Sequence, residues 1–398
     1  MKKLILLLTL ALFLSACSCR EARRDPQTGR IRVLYIGDAW GPTPYFHLET
    51  EPIFSTTPIP ATYAHIGTYS PRQLKQFMRI YMPRVYREFI DNFDLLILSD
   101  TNRNLYEIKQ LQWFRQGISD EGIGMMMAGG IEAFGGSNYP SWGDSPVEEA
   151  LPVICMKDQT FTQDFKVTIE DSDHPFIGSL PWRTMPVFHG MNIVKAKDGA
   201  KVLLRSDLKP YHPVVVYWEY GEGASLAHTP DWTPAWGTSV MNEWDYYPDY
   251  VANMNYLIAG VKIPDDPDLI HVLRDKFLQY SINRAMAISL MEFVEEFGAE
   301  ISAGQEHLDE ISAIHSEAEE LYVEQEYNQC LDLVNRIAEE FAELSEELVE
   351  LKERALFWIY MVEWMAVTAT ALVCGFVLWT LMVRRRLYRE VRITRASN

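Results

Sequence analysis

The chain has 398 residues, of which 48% are hydrophobic. This is enough apolar material for one large or two medium domains with packed cores, and it excludes an intrinsically disordered protein. The formal net charge of −19 is unevenly spread, because 17 acidic and only 3 basic residues lie between Glu300 and Arg354. Such acidity repels nucleic-acid phosphates, so we expect no nucleic-acid partner. It is typical of a solvated helix face.

The N-terminal sequence, MKKLILLLTLALFLSAC, has the layout of a secretory signal, with two lysines before an apolar run. Its last four residues resemble a lipoprotein signal-peptidase box. That resemblance implies a signal peptide over residues 1–16 and a lipid on the sulfur of Cys17. An ordinary signal, or an uncleaved anchor with an accidental cysteine, remains the alternative. Residues 17–30 then form a short tether.

Three continuous apolar segments predict buried strands, at residues 31–38, 94–100 and 123–130. The segments between them have helical patterns, one interrupted at Pro83 and one ended by Gly122. Buried strands that alternate with helices indicate a parallel sheet covered on both faces.

Further along the chain, VVVYWEYGEGASLAHT predicts a hairpin that turns through Tyr220-Gly221-Glu222-Gly223. The fold class predicted for residues 31–262 is therefore α/β, a flavodoxin-like parallel sheet with an antiparallel extension.

The segment KIPDDPD marks a domain boundary, after which helical periodicity dominates. Residues 263–354 are predicted to form an acidic all-α stalk, either a helical bundle or a coiled coil. Two of its helices are expected near 269–297 and 305–325. A third, longer helix is expected from a seam of apolar residues. The seam consists of apolar residues spaced by three or four: Val334, Ala338, Phe341, Leu344, Leu348, Leu351, Ala355, Trp358 and Val362.

The stalk leads into a predicted membrane-proximal and transmembrane helix over residues 355–383. From Trp364 to Val383 there are twenty residues without charge, enough to cross roughly 30 Å of hydrocarbon. Three arginines follow, and clustered arginines stay on the cytoplasmic side. We therefore expect a single-pass protein of the cytoplasmic membrane. Its large domain would be extracytoplasmic and its basic tail, residues 384–398, cytoplasmic.

Four segments of the α/β half resemble the putative glutamine amidotransferase family, a branch of the class I glutamine amidotransferase-like superfamily. They are VLYIGDAWGPTPYFHLETEPIF, DLLILSDTNRN, MMMAGGIEAFGGSNYPSWGDSPVEEALPV and YWEYGEGASLAHTPDWTPAWG. The resemblance extends over roughly Ile31 to Gly260. The stalk and span also look like the tail of uncharacterised membrane proteins that carry such a domain.

The resemblance implies a cysteine nucleophile on the turn after the third strand, activated by a histidine that a carboxylate orients. This sequence departs from that pattern. Ile131, or Glu132 with a one-residue shift, occupies the nucleophile position, and Cys155 is far from the turn. The His-x-Glu pair of the family enzymes is missing, because LAHTPDW offers His228 and Asp231 at another spacing. We therefore do not expect glutaminase activity and name no catalytic residue.

In an open parallel sheet, ligands bind beyond the carboxyl ends of the strands. The residues at those ends include carboxylates, an amide, an imidazole and tryptophans, which suit a small polar ligand. Each alone could instead cap a turn or pack in the core. The candidates are Asp38, Trp40, Asp100, Asn102, Gly129, Gly130, Glu132, His189, Asn192, His228, Asp231 and Trp232. No local metal-binding spacing and no phosphate-binding glycine loop occur, so we expect neither a metal nor a cofactor.

Three functions are compatible with these features. The first is a membrane-anchored, non-catalytic module that binds a small polar ligand or a partner protein. The second is an extracytoplasmic hydrolase or amidase that uses carboxylates and histidines such as Glu132, His189, His228 and Asp231. The third is a structural scaffold of a membrane complex. The expected partners are the lipid bilayer, through the C-terminal helix and Cys17, and a membrane protein bound by the acidic stalk.

Overall fold

A computed structural model describes residues 22–39, 43–62, 69–136 and 140–395. The predicted signal peptide, the candidate lipidation site Cys17 and the candidate ligand-binding residue Trp40 lie outside the described residues. The chain divides into two compact units. The first contains the residues up to Leu278 together with Glu317–Asp332, and the second contains Gln279–Ser316 and the residues from Leu333 onward.

The first unit is built on an eight-stranded sheet whose order is β2-β1-β3-β4-β10-β9-β8-β6. The five strands from β2 to β10 are parallel, and the last three pair antiparallel. This confirms the flavodoxin-like sheet with an antiparallel extension. The strands are β1 Ile31–Gly37, β2 Phe54–Pro60, β3 Leu95–Ser99, β4 Gly124–Ala128, β5 Val153–Phe161, β6 Val167–Ile169, β7 Met191–Ala196, β8 Lys201–Ser206, β9 Pro213–Tyr220 and β10 Gly223–His228.

Helices cover both faces of this sheet, which explains why β3 and β4 are buried along their whole length. The predicted helix break at Pro83 lies between α2 (Pro71–Tyr81) and α3 (Tyr86–Asn92), and Gly122 ends α4 (Ile108–Glu121) in the left-handed conformation. The helices of this unit are α1 Pro44–Glu49, α2 Pro71–Tyr81, α3 Tyr86–Asn92, α4 Ile108–Glu121, α5 Pro146–Ala150, α6 Pro175–Gly178, α7 Thr238–Glu243 and α8 Tyr247–Ala259.

Strand β2 was missed by the sequence analysis. Its sequence, FSTTPIP, contains two prolines and only two strongly apolar residues, the phenylalanine and the isoleucine. Because proline cannot donate to a ladder, it is found in edge strands. β2 is such an edge strand, and it pairs with β1 alone, from Ile31 opposite Phe54 to Gly37 opposite Pro60. Strands β5 and β7 form a separate antiparallel pair.

A buried ion-pair network also belongs to the first unit. The guanidinium of Arg274, on α9 Pro267–Glu296, donates through Nε to Glu51 (2.6 Å) and through Nη1 to Asp249 (2.8 Å). Its Cζ lies 5.3 Å from the ring centroid of Tyr256. All three charged side chains are almost completely buried. The ion pairs offset the desolvation cost of the buried charges, and they hold the start of α9 against the α/β core.

The second unit contains the rest of α9 together with helical segments of α10 Ser302–Val323 and α11 Tyr327–Arg395. The three segments meet at Gly304, where a Cβ atom would lie 3.3 Å from Met291 Sδ and 3.4 Å from Leu348 Cδ2. α11 contains one segment long and apolar enough to cross a membrane, and none of that segment is buried within the protein. The described chain thus joins an α/β domain to a long helical region.

Candidate functional site

The site lies at the carboxyl ends of the parallel strands, beside the point where the strand order reverses. β1 has β2 on one side and β3 on the other, which makes the β1/β3 boundary the topological switch point of the sheet. Asp38 follows β1 directly, and Asp100 follows β3 directly. Asp231 comes from the loop after β10. One carboxylate oxygen from each of the three lies within 4.8 Å of the others, and all three residues are buried.

Burial and mutual repulsion dominate the electrostatics of this acidic cluster, Asp38, Asp100 and Asp231. Burial, and then the charge of neighbouring carboxylates, raises the pKa of Asp38 and of Asp100 well above the ordinary value. Burial also raises the pKa of Asp231, to about 6, although the hydroxyl and N–H of Thr233 oppose this shift. The cluster therefore favours bound protons or a bound positive charge over three free carboxylates.

Oxygen atoms from three aspartates are also the ligands that Mg²⁺ and Ca²⁺ prefer. The expectation of no metal site was based on local spacing. Strand order brings together three aspartates that are far apart in the sequence, so local spacing could not reveal them.

The turn after β4 is held against this cluster by hydrogen bonds from its own backbone. The N–H of Glu132 donates to Asp100 Oδ1 at 2.6 Å. The N–H of Gly130 donates to Asn192 Oδ1 at 2.9 Å, and Asn192 Nδ2 donates back to the Gly130 carbonyl at 3.0 Å. The N–H of Gly129 donates to the carbonyls of His228 and Pro230. The N–H groups of Gly129, Gly130 and Glu132 are thus already in use and not free to form an oxyanion hole.

Backbone conformation at the site is unusual at Asp100, whose φ is 41°. A non-glycine residue in this left-handed region is strained, and such strain is commonly found at functional sites. The carboxylate that is held there accepts the Glu132 N–H described above. The positive φ thus occurs at the residue whose carboxylate contacts the turn.

The position that corresponds to the family nucleophile contains no thiol. Ile131 is 40% exposed, whereas Glu132 is fully buried. The Glu132 carboxylate accepts hydrogen bonds from Asn102 Nδ2 and from Thr62 Oγ1, both at 3.2 Å. Thr62 follows the edge strand β2, which explains why the sequence analysis did not find it. Neither an alkyl group nor this carboxylate can perform the thiol chemistry of the family enzymes.

His228 cannot act as a general base in this arrangement. Its Nδ1 contacts the Pro230 carbonyl at 2.9 Å, and its Nε2 contacts the Tyr250 hydroxyl at 2.6 Å. Complete burial lowers the pKa of His228 to about 3, so the ring is neutral at physiological pH. A neutral ring with Nδ1–H donating to the carbonyl must accept the Tyr250 proton at Nε2. We interpret His228 as a structural residue of the α/β core.

Trp232 and His189 likewise have partners of their own. Trp232 is buried, donates its indole N–H to Ser99 Oγ at 2.8 Å and stacks on Tyr35 with ring centroids 6.4 Å apart. The ring of His189 contacts Asp164 (2.8 Å) and Ser239 (3.0 Å), neither of which belongs to the acidic cluster. Trp232 therefore packs in the hydrophobic core, and the partners of His189 lie outside the cluster.

Among the described cysteines, none belongs to the acidic cluster. Cys155 lies on β5 opposite Val194, and its N–H donates to Glu148 Oε1 at 2.8 Å. Burial and the nearby Glu148 raise the pKa of the Cys155 thiol well above its ordinary value. A thiol in this environment is a poor nucleophile.

The chain is similar in sequence to one protein family and in structure to several solved proteins. Residues 84–259 match the family model described as putative glutamine amidotransferase. Over these residues the α/β domain is similar to that family. Two solved structures are similar to this domain, the cytoplasmic proteins STM3548 and STM1381 of Salmonella typhimurium, at 22% and 18% identity. Each match covers 57% of this chain and 99% of the other, with a TM-score of 0.48. No curated protein matches the chain in sequence.

The matched segment of this amidotransferase-like domain begins after β1 and β2. It contains Asp100, the turn after β4 and Asp231, whereas Asp38 lies before it. The acidic cluster is thus assembled from the matched family segment and from the strand that precedes it.

Proposed function

We propose that this protein is a membrane-anchored, extracytoplasmic protein whose amidotransferase-like domain binds a small polar ligand with a positively charged group and does not hydrolyse glutamine. The observation that supports the proposal is the convergence of Asp38, Asp100 and Asp231 at the switch point of the sheet. This convergence lies beside a turn in which Ile131 and Glu132 stand at the nucleophile position.

Three features argue against amide hydrolysis by the family mechanism. The turn carries no thiol, the backbone N–H groups of Gly130 and Glu132 donate to Asn192 and Asp100, and His228 is held neutral. Family catalysis requires a nucleophile, a base and an oxyanion hole together. Because each of the three is replaced or occupied, restoring only one of them would not restore activity.

The choice of a positively charged ligand follows from the cost of buried acid groups. A buried carboxylate without a compensating charge takes up a proton, and the raised pKa values of the cluster express that tendency. A divalent cation or an ammonium group would supply the compensation and displace the protons. The ligand would therefore bind more tightly as the pH rises through about 6, where Asp231 loses its proton.

The anchor and orientation are also part of the proposal. α11 contains the apolar segment, and arginines follow it from Arg384. Arginine clusters favour the cytoplasmic side, which would leave the α/β domain outside. The lipoprotein-type signal supports the same orientation.

The test uses the full-length chain in detergent, with MgCl₂, CaCl₂ and a panel of amino acids and amines as probes. We expect at least one probe to raise the melting temperature. In Asp100→Asn, the apparent affinity derived from this shift should be at least tenfold weaker. Asp198→Asn, which changes an exposed carboxylate outside the cluster, should leave it unchanged. A panel without any shift, or an equal loss in both variants, would refute the binding proposal.

A second function, an acid–base hydrolase, is favoured by one observation. The pKa of Asp231, raised to about 6, is in the range that suits a general acid or base near neutral pH. If the chain releases product from amide, ester or glycoside substrates, Asp231→Asn should abolish the release and the rate should titrate near pH 6. A rate that survives Asp231→Asn would exclude this mechanism.

A further inference from the structure

The second unit has a groove between two of its helical segments. Its three helical segments close around Gly304, where residues of α9, α10 and α11 meet. On the side away from α10, the residues of α9 and α11 border a groove of about 830 Å³. No residue of α10 lines this groove. A bundle of three helices thus leaves a space where a fourth helix would complete it.

The groove is apolar and accessible. Its base contains buried apolar side chains such as Phe341, Leu344 and Leu348, and its walls contain small alanine and serine side chains. Met286 and Val349 line it although 66% and 44% of their surface is exposed. Flexible methionines and small residues allow a helix to approach closely, and exposed apolar patches of this kind mark interaction sites.

The dimensions of the groove fit a helix. Along α11 its lining extends from Ala338 to Lys352, about 21 Å at 1.5 Å per residue. Along α9 the apolar row continues beyond Leu290 to Phe293, and Phe297, directly after the helix, is exposed as well. About four turns of a partner helix could therefore lie in the groove.

The charge around the groove selects the partner. On the two helices that border the groove, residues 279–296 and 333–354 contain 10 acidic and 4 basic side chains, and one of the basic residues, Lys352, lines the end of the groove. One exposed stripe of α11, beside Ala342 and Val349, consists of glutamates: Glu339, Glu346, Glu350 and Glu353. A second copy of the chain would bring like charges together, whereas lysines or arginines on a partner would be attracted.

We infer that this groove binds the apolar face of a basic amphipathic helix from another protein. Lys352 lies twelve residues before Trp364, so the groove ends about 18 Å along α11 from the predicted span. The partner helix is consequently one that lies close to the membrane surface, on the side of the membrane where the groove lies. This inference is independent of the acidic cluster, because no residue of that cluster belongs to the second unit.

The experiment uses the full chain in phosphatidylcholine nanodiscs and two fluorescent 14-residue helical peptides. Both peptides have leucine on one face, and the other face is lysine in the first and glutamate in the second. We expect fluorescence anisotropy, corrected with empty nanodiscs, to give at least tenfold tighter binding of the lysine peptide. Raising the salt concentration should weaken that binding, because the rim charges are exposed.

Variants then test whether the groove is the binding site. Met286→Lys with Val349→Lys should weaken binding of the lysine peptide at least tenfold. Ala313→Lys with Ser316→Lys adds the same charge on exposed positions of α10, away from the groove, and should change it less than threefold. Circular dichroism checks that each variant is folded. Equal binding of the two peptides, or equal loss in the two double variants, would overturn the inference.

Photo-crosslinking distinguishes a partner protein from a second copy. We expect p-benzoylphenylalanine in place of Met286, in the full chain in nanodiscs, to crosslink to the lysine peptide. A crosslinked dimer of the full chain, formed even with the peptide present, would instead identify the groove as a homodimer interface and overturn the inference.

Discussion

Gly130 approaches Asp100 so closely that a Cβ atom on the glycine would lie 2.1 Å from the carboxylate carbon. The glycine also has a φ of +147°, a backbone angle that residues with a side chain rarely adopt. This contact joins the turn after β4 to the acidic cluster. It explains why a glycine occurs where the sheet presents its strand ends.

We therefore expect Gly130→Ala to lower the free energy of unfolding by about 2–4 kcal/mol, because the buried carboxylate has to shift. Gly199→Ala is the control. Gly199 also has a positive φ, 86°, but its nearest neighbour would be 3.9 Å from the new Cβ. That substitution should cost only about 1 kcal/mol. Urea unfolding of the full-length variants measures both, and equal losses would contradict the close contact.

The raised pKa of Asp231 predicts a pH dependence of stability. A folded-state pKa of about 6, above the ordinary 3.8, means that the folded protein holds this proton more tightly. The resulting stabilisation is complete below about pH 4 and is lost as the pH rises through 6. Comparison of wild type with Asp231→Asn in EDTA, by urea unfolding between pH 4 and 8, should show a steeper decline between pH 4 and 6 in the wild type. Asp38 and Asp100, whose pKa values are also raised, should leave a smaller decline in the variant. Asp198→Asn should retain the steeper decline.

Cysteine substitution at the turn should not create a glutaminase. In Ile131→Cys and Glu132→Cys, the turn N–H groups would still donate to Asn192 and Asp100, and His228 would remain neutral. We expect ammonia release from glutamine to stay at the background rate of the wild type. Alkylation by iodoacetamide shows whether the exposed thiol at position 131 is present and reactive. A rate well above background would contradict the account of the occupied oxyanion hole.

The buried network around Arg274 should contribute strongly to stability. Arg274→Met leaves Glu51 and Asp249 buried without their cation, which costs about 3–5 kcal/mol. Arg87→Met is the matched control, because Arg87 pairs with Asp91 on the surface and both are exposed. Exposed pairs contribute about 0–1 kcal/mol. Thermal and urea unfolding should separate the two variants clearly, and a small effect of Arg274→Met would show that the network is dispensable.

The sequence by itself determined five of the ten described strands of the α/β domain. Continuous apolar runs identified β1, β3 and β4, the Gly221-Glu222 turn identified the β9–β10 hairpin, and the glycine at 122 marked the end of α4. These are local signals, because a few neighbouring residues determine both the burial of a strand on two faces and the φ angles of a turn. β2 escaped because its two prolines are tolerated only at a sheet edge, and an edge is a property of the whole sheet.

Only the tertiary structure decided what the candidate residues do. Strand order brought Asp38, Asp100 and Asp231 within 4.8 Å of one another, while it gave His189 other partners. It also buried His228 against Tyr250 and supplied Thr62 and Asn102 to Glu132. The physical reason is that a pKa and a hydrogen-bond partner depend on which strand ends become neighbours. That proximity arises from long-range packing, whereas the strands themselves arise from local pattern.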